Sequence, residues 1–193
     1  MSDLIHGLEY QEVDDGGRTI TTLRASVLGI VGTMPDADPA LFPINTPVPV
    51  IGQRAINALV DAGAGADPDL GTIGESLTAI ATIMNPVAVC VRVEDPGLGN
   101  LAEALVGDAA QRTGIYALLN AGAVTGLVPR ILIAPNPDGY QYGAGSIDGA
   151  PAAAALLAVA DRIKAIAVVD GPDTDTNDAN HAVQTVGGRR AYM

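Results

Sequence analysis

The chain has no tryptophan, one cysteine and two histidines in 193 residues, and only 10 lysines and arginines stand against 22 aspartates and glutamates. Each scarcity excludes something. A single cysteine, Cys90, can form no internal disulfide, which suits a reducing compartment. Two histidines and one cysteine cannot build an ordinary closed zinc site with spaced ligand pairs. The net charge is −12 at pH 7 and the bases are scattered. A nucleic-acid groove needs clustered Lys and Arg, and an anionic membrane repels such a surface, so neither partner is expected. No apolar run reaches the ~18 residues that cross a bilayer. Near the N-terminus, Asp3, His6, Glu9, Glu12, Asp14 and Asp15 stand where a secretion signal would be basic and then apolar.

What the chain does have is 48% hydrophobic and 17% charged residues, with 23 Gly and 13 Pro. That is too apolar for disorder and too weakly charged for a long coiled coil. Its length suits one domain, or one domain with an arm. Residues 1–24 read as the arm: an acidic cluster, the turn Asp15-Gly16-Gly17, then the strand-like Thr19-Ile20-Thr21-Thr22-Leu23. This segment has too few apolar residues for a core of its own, so it must pack on the main domain or on another subunit.

Residues 25–193 alternate apolar strands with amphipathic helices. Val27–Val31, Val87–Val93, Arg130–Ala134 and Ile166–Val169 read as buried strands, and Val48–Ile51 as an edge strand beside a Pro-rich loop. Thr72 and Glu75 read as a capping box, followed by the buried stripe Ile73, Leu77, Ile80 and Met84. The segment 98–112 reads as helical, Ile115, Leu118 and Leu119 form a short helix closed by Gly122, and Pro151 opens a helix with the face Leu156, Val159, Ala160 and Ile163. The expected fold class is α/β: a mostly parallel sheet with helices on both faces, preceded by an extended N-terminal arm.

A search for chemistry returns little. Gly143-Ala-Gly145-Ser-Ile-Asp-Gly149 resembles a phosphate-binding loop, with Asp170 ending the next strand. Asp148 stands at the third glycine position, however, and some nine residues separate the loop from its strand. Asp173, Asp175 and Asn177 imitate a calcium loop, but Asp178 replaces the turn glycine and Gln184 the bidentate glutamate. A Ser/His/Asp set would need His6 or His181, and no GxSxG elbow exists. Cys90 reads as a small buried hydrophobe and Arg189-Arg190 as an exposed edge or interface. No catalytic residue, cofactor or metal is expected. The alternative left open is a doubly wound nucleotide- or small-molecule-binding domain that uses the 143–149 loop and Asp170.

An ordered series of segments resembles the sheath proteins of contractile phage tails. It runs from His6-Gly-Leu-Glu9 and Asp14-Asp-Gly16 through Val27–Thr33 and Leu41–Val48 to Val89–Glu94. Thr113–Asn120, Pro129–Pro135, Ala160–Arg162, Ala165–Pro172 and Gly188–Tyr192 complete it. The resemblance implies a structural subunit, not an enzyme. Its core would be subtilisin-like without a protease triad, and its partners would be other sheath subunits, the tail tube and the baseplate. It would be assembled in the host cytoplasm and carried in the virion tail, storing the energy of contraction in a metastable arrangement without nucleotide hydrolysis. The arm would add strands to a neighbour's sheet, with Leu8, Tyr10, Val13, Thr19, Ile20 and Leu23 as the linking residues. Family members continue past the Arg-Arg-x-Tyr segment, so a core truncated at its C-terminal end is expected.

Overall fold

Strand β1 (Val27–Thr33) is buried along nearly its whole length, as its unbroken apolar run requires of a central strand. It pairs in parallel with β3 (Val87–Val93) on one side and β4 (Ile131–Ile133) on the other. Strand β2 (Pro47–Ile51) lies antiparallel against β3, while β5 (Ile166–Val168) and β6 (Ala191–Tyr192) extend the sheet in parallel beyond β4. The six strands run in the order β2-β3-β1-β4-β5-β6. In this computed structural model the described residues are 27–61, 69–97, 101–135, 151–169 and the backbone of 191–192.

Helices cover both faces, so the expected α/β architecture is the one found. Helices α1 (Gly52–Asp61) and α2 (Gly71–Ile83) join β2 to β3. They pack a core in which Ile73 and Leu77 meet Ile30, Ala88, Cys90 and Phe42. The other face carries α3 (Leu101–Val106), a 3₁₀ helix (Gly114–Asn120), α4 (Ala121–Thr125) and α5 (Pro151–Ile163). There Leu105, Ile115, Leu118, Leu156 and Val159 close over Val31, Val91 and Leu132. Alternate residues of β1 and β3 thus serve opposite cores, as the pleat demands.

Several local expectations need correction. Strand β5, expected to be buried, leaves Ile166 and Val168 exposed on either side of the buried Ala167. Thr72 makes no capping box: the residue before α2 is Leu70, with no side-chain cap, and Thr72 bonds instead to β1. Of the stripe behind it, Ile73 and Leu77 are buried and Ile80 partly so, while Met84 lies in solvent past the helix end. The helix containing Ile115 does not close at Gly122. It tightens to 3₁₀ geometry, bends into α4 and ends at Gly126, whose φ of +71° gives the left-handed cap. Within 98–112 only Leu101–Val106 is helical among the described residues.

Candidate interaction surfaces

Ligands of doubly wound sheets sit outside the strand C-terminal ends, where neighbouring connections diverge. In this chain the end of β1 is filled by the protein itself. The Thr33 N–H donates to Thr72 Oγ1 at 3.0 Å, and the Thr72 N–H reaches back to Thr33 Oγ1 at 3.4 Å. Gly71, at φ +53°, brings the start of α2 so close that a Cβ there would stand 2.5 Å from the Thr33 carbonyl oxygen. The amide that could cradle an anion is therefore spent on β1.

The Pro-rich loop beside this end is clamped from within. The Arg92 guanidinium donates to the carbonyls of Ala37 at 2.9 Å, Phe42 at 3.2 Å and Pro35 at 3.2 Å. Asn45, in the left-handed region at φ +56°, accepts the Gly114 N–H on Oδ1 at 2.8 Å. Next to it opens a cleft of about 410 Å³ whose walls include Asn45, Glu94, Asp95, Glu103 and Thr113. Among the described residues no three His, Cys, Asp or Glu side chains are grouped as a metal site. No buried side-chain polar atom there lacks a partner. Cys90 is fully buried, and desolvation pushes its thiol up to about 12, so it is not a poised nucleophile.

Among the described residues β2 forms one border of the sheet, and that border is blunted. Gly52 N–H donates to Pro86 O, and the register pairs Ile51 with Val87 and Pro49 with Val89. Alternation along an antiparallel pair then turns the amide positions of Pro47, Pro49 and Ile51 away from β3. Two of those three positions have no N–H to offer.

The sequence-predicted linking residues Leu8, Tyr10, Val13, Thr19, Ile20 and Leu23 lie outside the described residues, as do the 143–149 loop, Asp170, Asp173–Asn177, His6, His181 and Arg189-Arg190. What sequence reasoning missed is a separation of surface charge among the described residues, although exposed apolar side chains occur at both ends, Leu41 and Ile44 among them at the acidic one. Asp36, Asp38, Asp69, Glu94, Asp95 and Glu103 all belong to the end where the parallel strands finish. The opposite end exposes Ile51, Ile83, Met84, Val124 and Val128. The signal was available: no acid occurs between Glu75 and Glu94, or between Asp108 and Asp138.

Comparison with protein-family models gives no match. Curated proteins do match. The chain is 38% identical over 149 residues to the tail sheath protein of Escherichia phage P2, covering 72% of this chain and 36% of that protein. It is 29% identical over 192 residues to a putative prophage major tail sheath protein of Pseudomonas aeruginosa, covering 97% of this chain and 46% of that one. The major tail sheath protein of Serratia phage KSP20 is 30% identical over 149 residues, with coverages of 74% and 36%. The chain thus spans between about a third and a half of the length of these relatives. Over the part that it spans, it belongs to the phage tail sheath protein family.

Proposed function

We propose that this chain is the arm and core of a structural subunit of a contractile tail sheath. The observation that carries the reading is the match to sheath proteins, which in one relative extends over 97% of the chain. Copies would stack around the inner tube, attach to the baseplate, and on a signal slide into a shorter, wider lattice that drives the tube through the host envelope. The energy would come from the subunit arrangement, with no nucleotide hydrolysed, and the role is structural rather than catalytic. Assembly would take place in the host cytoplasm, and the product would reside in the virion tail.

In this reading residues 1–24 are the linking arm and 25–193 the subtilisin-like core. Leu8, Tyr10, Val13, Thr19, Ile20 and Leu23 then supply the apolar contacts of strands added to a neighbour, since an arm poor in apolar residues gains most from backbone pairing. The proline-blunted β2 edge supports a link that uses some other edge. The filled end of β1 weighs against the nucleotide-binding alternative.

Electron microscopy of the chain co-expressed with a phage tail-tube protein tests the reading. Sheath-like hollow polymers, lost when residues 1–24 are deleted while the core stays folded, are the expected result. A chain that stays unassembled with its tube, and whose melting temperature rises with nucleotide, would sink it.

A further inference from the structure

Among the described residues, charge is distributed unevenly along the strand axis. At the end where the parallel strands finish, Asp36 and Asp38 lie on the loop after β1, Glu94 and Asp95 follow β3, and Glu103 shares their cleft. Asp69 joins Asp36 through its own N–H, which donates to Asp36 Oδ2 at 2.6 Å. Glu94, Asp95 and Asp38 are exposed. They sit on loops, so their charge is not consumed in offsetting a helix end.

Arg92, turned onto the loop carbonyls, and the exposed Arg112, which donates to Asn120, offset part of this charge. The opposite end is net basic among the described residues. Arg54 stands exposed in the first turn of α1, just past the end of β2. Arg162 and Lys164 close α5, and Arg130, which precedes β4, donates to the Ile163 carbonyl at 2.7 Å. Among the described residues Asp161 is the one acid at this end. Part of the positive charge answers the C-terminal dipole of α5, but Arg54 lies at a helix start and does not. Between these bases lie the apolar side chains Ile83, 86% exposed, and Met84, 54% exposed. Ile51, at the end of β2, pairs with Val87, three residues after Met84.

A chain carrying −12 repels its own copies over most orientations. One approach is attractive: the acidic end of one copy against the basic, apolar end of the next. We infer that copies of this chain associate head to tail through these two ends. The contact is heterologous, with different surfaces meeting, so it propagates into a ring or an open helical array and does not stop at a dimer. The inference rests on the sheath reading for the identity of the partner and adds which surfaces meet.

Two charge-reversed forms of the full chain test it. One carries Arg54→Glu with Arg162→Glu, the other Glu94→Lys with Glu103→Lys. All four positions are exposed, and circular dichroism checks that both forms fold. Sedimentation velocity in low salt should show association of the unaltered chain, weakened about tenfold or more between 50 and 500 mM NaCl as screening shortens the interaction range. Each reversed form alone should associate more weakly by about tenfold or more, since one of its two ends has lost most or all of its charge contrast with the other. Mixing them should restore association, because each then offers the other a complementary surface. If the unaltered chain associates and the reversed forms do so equally, the inference is overturned while the sheath reading stands. If the unaltered chain is monomeric at every salt, the inference is again overturned. Incorporation with a tube protein, read by electron microscopy, then decides the sheath reading separately.

Discussion

Thr33 and Thr72, 39 residues apart, exchange hydrogen bonds: the hydroxyl of each faces the backbone N–H of the other, at 3.0 and 3.4 Å. Both side chains are buried, so neither amide has water as a substitute. Thr72→Val keeps the shape and removes the acceptor. It should destabilise the fold by about 1–3 kcal/mol, the cost of a buried donor left unpaired. Thr72→Ser should retain most of the stability, and urea unfolding of the two variants reads the difference.

Asn45 combines a left-handed backbone with a side-chain bond to Gly114. Asn45→Gly relieves the backbone and loses the bond, whereas Asn45→Ala loses the bond and adds backbone strain. Thermal unfolding should rank the two with Ala the worse by about 1 kcal/mol. Equal melting temperatures would show that the left-handed conformation is not retained.

Arg92 has three carbonyl partners on one loop, and its fork geometry is what lets one side chain reach them all. Arg92→Met should lower stability by about 1.5–3 kcal/mol and expose the 35–46 loop to protease. Arg92→Lys should recover only part of that, since an ammonium is a single point donor. Cleavage mapped by mass spectrometry locates the effect.

Cys90 links stability to alkaline pH. Its thiol rises from the ordinary 9.0 to about 12 in the folded chain. Below pH 9 both folded and unfolded chains keep the proton and nothing changes. Above it only the unfolded chain releases the proton, so stability should fall by up to about 1.4 kcal/mol per pH unit as pH rises toward 12. Cys90→Ala should lose this slope when unfolding is followed from pH 8.5 to 10.5. A thiol reagent at pH 8 should label Cys90 only as fast as the chain opens.

The strands were legible because their signals are local. Val87–Val93 is apolar except for Arg92 and bounded by Pro86 and Asp95-Pro96, and the structure places β3 there. The helix opened by Pro151 was legible for a related reason. Its face Leu156, Val159 and Ala160 is buried as expected, because periodicity and helix start agree. What failed depended on partners far along the chain. Thr72 looks like a cap beside Glu75, but its partner is Thr33. Gly122 looks like a stop, yet the chain passes through it to Gly126. The two-ended charge pattern arises only when the topology collects Asp36, Asp69 and Glu94 at one end of the sheet, and no short window of sequence contains all three.

The prolines of β2 bear on how the molecule behaves in a crowd. In any dense array, exposed strand edges invite a neighbour to zip on in the wrong place, and the product is a fibre. With Pro47 and Pro49 presenting no donor on the side away from β3, that border of the sheet is left with the Ile51 N–H as the one outward donor among these three positions. A strand arriving there at high local concentration therefore finds too few donors to extend a ladder.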